Sequence, residues 1–396
     1  MTLALAALSI RDFRNLARIE LEVPATGMVI VGPNGHGKTN LLEAIHYLHT
    51  LRSVRGARDV ELVRFGADTF HLGARIEGGA VDAMGVGFSR AAKRKKVTMD
   101  GVECERLADA FGAVPSVMFS PRDVELVAGA PTERRRFLDI ALATTSRRYL
   151  TALQRYRAAL VRRNASLREA GRRGGGAARA AVWEPALAEA GATLWCERRR
   201  WSRWAAPRLE ALCAAIGERQ RVTLEYQTAL AVAAGEEDDE GAVRMQLTAA
   251  LEGDRAQDLK RTLTHSGPHR DDLSLKLGGR ALRTFGSAGQ QRTAAIALRL
   301  LERETLRERS GRTPLVLLDD PFAELDVARA RRILEVLGEG SPGQTLLVVP
   351  RATDVPAAYT TLARYHIFDG VLQAGDDAPT GPVPDADAMA GTVRHA

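Results

Sequence analysis

The sequence predicts an α/β fold: a nucleotide-binding head of two lobes, with mixed sheets around a phosphate loop and an inserted α-helical arm. Three observations carry this expectation. Gly32-Pro33-Asn34-Gly35-His36-Gly37-Lys38-Thr39 is a complete phosphate loop, entered by the apolar run 28–31 and followed by helical spacing over 40–51, with Leu41, Leu42, Ile45 and Leu48 on one side. Far downstream, 315–318 reads as a buried strand that ends in Asp319 and Asp320. Between them, residues 122–220 turn to Ala, Arg, Leu and Glu at helical spacing.

The elements follow in order. Residues 8–15 and 17–23 alternate apolar with polar side chains, as half-buried strands do. The apolar start, 1–8, lacks the basic flank and cleavage region of a signal peptide and reads as core. Residues 60–102 are strand-like, with a basic hairpin tip at 90–96 and a turn at Asp100-Gly101. The arm is expected to run about 45 residues out and 45 back around a flexible glycine-rich turn at 171–176. Strand character returns at 221–226, and the acidic run 236–240 reads as a solvated connection. The organisation predicted is lobe I over 1–121, the arm over 122–220, lobe II over 221–373 and a disordered tail over 374–396, whose Asp, Pro, Gly and Ala are too poor in apolar residues to fold.

Composition narrows the class. A chain of 396 residues, 45% hydrophobic and 27% charged, suits a soluble globular protein with a large core. No apolar run reaches the roughly 18 residues of a membrane span, so no membrane partner is expected. Cys104, Cys196 and Cys213 are odd in number and share no ligand spacing, which argues for a reducing compartment without disulfides or structural zinc. The expected location is cytoplasmic and nucleoid-associated. A net charge of +7 fits a polyanionic partner such as DNA or RNA.

The chemistry sits in three places. The loop glycines let backbone N–H groups converge on phosphate oxygens, aided by the helix that follows. That makes Gly32, Pro33, Asn34, Gly35, His36, Gly37, Lys38, Thr39 and Asn40 the ATP contacts. Lys38 would reach the β- and γ-phosphates, the Thr39 hydroxyl and Asp319 would hold Mg²⁺, and Asp320 would orient or deprotonate the attacking water. Ser287-Ala288-Gly289-Gln290 precedes a strong helix and makes a second anion site from Ser287, Gly289 and Gln290. One chain already has its cradle at Lys38, so the second site is expected to grip the γ-phosphate bound by another copy. Glu324-Leu325-Asp326 can lie along that homodimer interface, with Asp326 near the nucleotide. For DNA phosphates the candidates are Lys93, Arg94, Lys95 and Lys96 on the hairpin tip and Arg162 and Arg163 on the arm, without aromatic interleaving for base reading. Trp195, Trp201 and Trp204 can pack between helices or stack on bases, and His269 and Arg270 can meet nucleotide, DNA or the other lobe.

The loop extended through Asn40-Leu41-Leu42-Glu43-Ala44-Ile45, with Phe13-Arg14-Asn15 ahead of it, resembles the SMC- and Rad50-like ABC-type ATPases. Further segments narrow the resemblance to the RecF family of bacterial DNA replication and repair proteins. They are Phe119-Ser120-Pro121-Arg122-Asp123 with Gly129-Ala130-Pro131-Thr132-Glu133-Arg134-Arg135-Arg136-Phe137-Leu138-Asp139, then Gly267-Pro268-His269-Arg270-Asp271-Asp272, then Gly289-Gln290-Gln291-Arg292. The resemblance covers roughly 8–370. It implies a DNA-dependent ATPase that dimerises with ATP, binds duplex DNA near single-strand/duplex junctions and acts with RecO and RecR to help load RecA in repair. Lys38, Thr39, Asp319, Asp320, Ser287, Gly289 and Gln290 match family positions.

Two departures stand out. Related ATPases usually carry Glu where this chain has Asp320, and the shorter side chain predicts slow hydrolysis. After the strand 345–349 the family tends to place a small hydroxyl residue near the γ-phosphate, whereas this chain reads Pro350-Arg351-Ala352-Thr353. Two other classes share the general motifs. An SMC-type chromosome-structure ATPase would need a longer heptad arm, and a transporter ATPase subunit would lack the RecF-specific segments.

Overall fold

Gly27–Val31, Thr345–Val349 and Leu315–Asp319 are buried at every position, as strands covered on both faces must be. They lie side by side and parallel, flanked by Ser116–Phe119 on one side and Ala363–Phe368 on the other, and the antiparallel Val371–Ala374 closes that edge. The computed structural model describes residues 3–173, 176–322, 325–339 and 343–375.

This sheet divides the molecule into two cores, because successive side chains of a strand point to opposite faces. Met28, Ile30, Leu315, Leu317, Leu346 and Val348 face one core. Val29, Val31, Val316, Leu318, Leu347 and Val349 face the other. The first core is completed by helix Lys38–Thr50 and a six-stranded antiparallel sheet in the order Leu16–Glu22, Ala4–Phe13, Thr69–Glu77, Ala83–Ser89, Arg94–Met99, Val102–Glu103. Buried Gln344 joins the two sheets. Its amide donates to the carbonyls of Leu5 (2.9 Å) and Pro24 (2.7 Å) and accepts the Leu5 N–H at 2.7 Å.

The second core holds the helices Pro131–Ala143, Arg147–Arg173, Glu184–Ile216 and Ala288–Ser310, with a small sheet of Val222–Gln227, Asp272–Leu277 and Arg280–Ala281. Of the stretch read as the arm, residues up to Ala143 lie on the head, where Leu126, Val127, Phe137, Leu138 and Leu142 join this core. The long helices are 27 and 33 residues, shorter than the 45 expected each way. They also lean on the head. The Trp201 indole N–H reaches Thr305 Oγ1 (3.1 Å) and that of Trp204 reaches Glu308 (3.0 Å), both on Ala288–Ser310. Trp195 donates to Thr228 at 3.1 Å. The arm tryptophans are therefore packing residues, not base-stacking platforms.

The acidic run is not a free connection either. Glu237 pairs with Arg199, Asp238 with Arg203 and Glu240 with Arg148, so the loop is drawn onto the basic faces of both long helices. Within the glycine-rich turn, residues 174–175 lie outside the described residues, and the chain is helical up to Arg173 and again from Gly176. The expected tail begins inside a strand, since Ala374 pairs with Tyr365; residues 376–396 lie outside the described residues. Among the described residues no helix is long and apolar enough to cross a membrane.

Candidate nucleotide site

Strand Gly27–Val31 delivers the loop, and helix Lys38–Thr50 carries it away. The turn needs its glycines. Gly37 has φ 108°, a left-handed conformation that side chains resist. A Cβ on Gly32 would come within 2.3 Å of the Ile367 carbonyl oxygen. Lys38 is buried and donates to the carbonyls of Gly32 and Pro33 (2.7 Å), with Asn34 Oδ1 at 3.3 Å, so its ammonium sits inside the loop. Burial lowers its pKa, while Asp319 and Asp320 raise it.

The two distant motifs meet here. The Thr39 hydroxyl lies 3.0 and 2.9 Å from the two Asp319 carboxylate oxygens. Burial pushes the Asp319 carboxyl up, the Thr39 hydrogen bond draws it down, and neighbouring Asp320 pushes it up again. Asp320 leaves the strand with φ 45°, a left-handed turn Asp tolerates better than most residues, fixed by its N–H to the Val348 carbonyl at 3.0 Å. Its carboxyl is also raised, by burial and by Asp354, against the opposing pull of Lys38, Arg292 and Arg351. The Thr39–Asp319 pair offers hard oxygen donors, the set that suits Mg²⁺, an ion that takes one or two protein ligands and completes its shell with phosphate and water. Among the described residues no cluster of three His, Cys, Asp or Glu could hold a metal by itself.

Behind these residues a second layer of side chains holds the loop. Asn40 donates to Asn15 at 2.7 Å, and the Asn15 amide abuts Gly37. Arg55 also bonds Asn40 and joins Arg14 (3.1 Å) and Ser53 (2.5 Å) on the fully buried Glu43. Burial alone would raise the Glu43 carboxyl; the bonds from Arg55, Arg14 and Ser53 outweigh it and hold it below its ordinary range. His36 stacks on Phe368 with ring centroids 4.4 Å apart, and its Nδ1 accepts the Asp369 N–H at 3.1 Å. The loop rim is thus anchored to the edge of the central sheet.

The second anion site lies elsewhere on the chain. Ser287 caps helix Ala288–Ser310, its hydroxyl accepting the Gln290 N–H (3.3 Å) while Gln290 Oε1 accepts the Ser287 N–H (2.9 Å). Both groups are engaged with their own helix end, which is exposed, and not with the phosphate loop of the same chain. Asp326 caps the next helix, Val327–Gly338, accepting the Arg329 N–H at 2.8 Å. Arg329 leans back on the Gly289 carbonyl, so these two helix starts are neighbours. Glu324 lies outside the described residues.

The DNA candidates separate. Lys93, Arg94 and Lys96 are exposed, the latter two paired with Glu103, and exposed Arg162 lies over the Trp183 ring at 5.0 Å. Lys95 and Arg163 are corrections. Lys95 turns inward, donating to the Leu51 carbonyl at 2.6 Å, pairing with Asp59 at 2.9 Å and covering the Tyr47 ring. It stabilises the end of the phosphate-loop helix instead of meeting DNA. Lys95→Ala is expected to cost about 1–3 kcal/mol of unfolding free energy, with Lys93→Ala within about 0.5 kcal/mol of wild type; urea unfolding of the two variants checks this. Arg163 is fully buried among Asp258, Glu184 and Thr264 and is inaccessible to a phosphate.

The family-marking segments also resolve into contacts. Arg134 forms a bidentate pair with Asp272 (2.8 and 2.8 Å), and Arg135 donates to the Asp271 carbonyl, joining two segments that are distant in sequence. Asp123 accepts from Arg299 at 2.7 Å on helix Ala288–Ser310. His269 is a structural link, bonded to the Tyr156 hydroxyl (2.6 Å) and the Thr264 carbonyl (3.1 Å), and burial lowers its pKa to about 4. Arg270 donates to the same carbonyl at 3.0 Å.

A family profile for the RecF/RecN/SMC N terminal domain matches residues 4–367. A DNA replication and repair protein RecF from Anaeromyxobacter sp. (strain K) is 41% identical over 375 residues, covering 93% of this chain and 98% of its own length. Another, from Myxococcus xanthus (strain DK1622), is 37% identical and covers 96% and 99%. Among solved structures, the recombination mediator protein RecF-ATP of the RecFOR pathway superposes with a TM-score of 0.86 at 29% identity, covering 95% of this chain and 98% of that one. An Smc head bound to the C-winged helix domain of ScpA shares the fold alone, with a TM-score of 0.52 at 14% identity. With relatives matched over more than nine-tenths of its length and an ATPase head assembled from its two distant motifs, the chain belongs to the RecF family of DNA replication and repair proteins.

Proposed function

We propose that the protein is an ATP-dependent DNA-binding protein of recombinational repair. ATP with Mg²⁺ occupies the loop from Gly32 to Asn40, and the Ser287 helix end of a second copy closes on the γ-phosphate. The closed dimer clamps duplex DNA near single-strand gaps, works with RecO and RecR to load RecA, and is reset by slow hydrolysis. The observation that supports this reading is the Thr39–Asp319 contact, which brings a carboxylate of the kind that suits Mg²⁺ to the phosphate loop, while the Ser287 helix end stays exposed and engaged with itself. When bound, Mg²⁺ would neutralise charge on the terminal phosphates. Lys38 supplies a cation to the same oxygens, and Asp320 is positioned to order and accept a proton from the attacking water. The short Asp320 side chain supports slow turnover.

The alternatives fit less well. Helices of 27 and 33 residues span about 40 and 50 Å and pack on the head, which among the described residues leaves no long coiled-coil arm of the SMC kind. A transporter subunit would float with membranes.

Light scattering with ATP and duplex DNA tests the proposal. Wild type is expected to double its mass, and Lys38→Met to remain a monomer, because the variant loses the cation that engages the terminal phosphates. A wild-type protein that stays monomeric at every concentration would sink the clamp.

A further inference from the structure

The segment Pro350-Arg351-Ala352-Thr353 has no role in the reading above, yet backbone pairing fixes where it emerges. The Val349 carbonyl accepts the Gly32 N–H at 3.2 Å, and the Val348 carbonyl accepts the Asp320 N–H at 3.0 Å. Strand Thr345–Val349 is also hydrogen-bonded to Gly27–Val31 on one side and Leu315–Asp319 on the other. The chain therefore leaves the sheet between the phosphate loop and the carboxylate pair. That is the side from which Lys38 and Asp320 would address a terminal phosphate.

Arg351 is the first charge in this position. Its guanidinium forms a two-point pair with Asp354, Nε to Oδ2 at 3.0 Å and a terminal nitrogen to Oδ1 at 3.1 Å, across one 3-10 turn, Ala352–Asp354. The arginine side chain is 77% exposed and that of Asp354 26%. Both bear on Asp320, with Asp354 pushing its carboxyl up and Arg351 drawing it down. A pair this exposed is held weakly, because water screens the two charges and fixing both side chains costs them conformational freedom. A planar fork that donates to two carboxylate oxygens donates to two phosphate oxygens in the same geometry, and more strongly when the anion carries more charge.

We propose that Arg351 is the residue by which this protein distinguishes a nucleoside triphosphate from a diphosphate: its fork leaves Asp354 for the terminal phosphate, and Asp354 is the internal anion that keeps it beside the site. The inference rests on the nucleotide reading above. A small hydroxyl residue at this point could donate one hydrogen bond; the arginine offers two, and its charge.

Calorimetric titration of the full chain with Mg²⁺ and either ADP or the non-hydrolysable imido analogue of ATP tests it. Arg351→Ala is expected to weaken the triphosphate analogue about tenfold and leave ADP unchanged. Arg351→Lys should restore part of the loss, as a point charge without the fork. Asp354→Asn should bind the analogue more tightly than wild type, because the guanidinium is released. Equal weakening of both nucleotides by Arg351→Ala, or weakening of neither, would overturn the assignment. The two readings fail differently: a wild-type protein that binds neither nucleotide removes the nucleotide site as well, whereas intact ADP binding with an unchanged triphosphate preference removes Arg351 alone.

Discussion

Asp319→Asn is expected to lower steady-state ATP hydrolysis by roughly two to three orders of magnitude while the protein stays folded. The amide that replaces the carboxylate keeps an oxygen for the Thr39 hydroxyl, which now lies 2.9 to 3.0 Å from both carboxylate oxygens. It removes one negative charge from a buried site where the charged form is already disfavoured by desolvation and by Asp320. Stability should therefore hold or rise slightly, and the loss should fall on the chemistry. Asp320→Asn separates the roles. Asp320 is less buried and makes no bond to Thr39, so its amide should slow hydrolysis yet preserve ATP-driven association, trapping the dimer. Single-turnover hydrolysis and light scattering on both variants check this pair of outcomes. An Asp319→Asn protein as active as wild type would take that carboxylate out of the reaction.

Arg163→Met is expected to lower unfolding free energy by about 3–5 kcal/mol, the cost of leaving buried carboxylates without their partner. The guanidinium is wholly inaccessible, donating to Asp258 at 2.5 Å, Thr264 at 2.9 Å and Glu184 at 2.9 Å. Glu184 keeps Arg255 (2.6 Å), whereas Asp258 would lose its guanidinium and keep only the contact with His265 Nδ1 (2.6 Å). The three bonds draw helix Arg147–Arg173 to the start of Glu184–Ile216 and to helix Arg255–Arg261. Arg163→Lys should recover little, since one ammonium cannot meet three acceptors arranged for a planar fork. Urea unfolding gives the result directly. A loss below about 1 kcal/mol would mean that water reaches these carboxylates in the folded protein.

Both residues corrected by the structure were legible in the spacing. Lys95 alternates with Val97 on strand Arg94–Met99 and sits opposite buried Phe88, so period two assigns it to the inner face. Arg163 falls on the same helical stripe as Tyr156, Ala159 and Leu167, all buried, whereas Arg162 is one position off it. Reading the basic cluster as a unit hid that alternation. The phosphate loop and the carboxylate pair were legible because their chemistry demands fixed residues at fixed spacing on a strand, a turn and a helix. The Glu43 network was not, since Arg14, Ser53 and Arg55 are brought to it by the packing of separate segments. The arm misled for a related reason: helical periodicity gives a face to be buried, but not the partner that buries it.

Helix Ala288–Ser310 begins at the capped anion site and carries Thr305 and Glu308, the acceptors of Trp201 and Trp204, near its far end. Twenty-three residues make a rod of about 35 Å, so a tilt of only about 5° at one end displaces the other by about 3 Å. If a second copy presses on the capped end, as proposed, this rod would carry the contact to the long helix Glu184–Ile216 that rests on it.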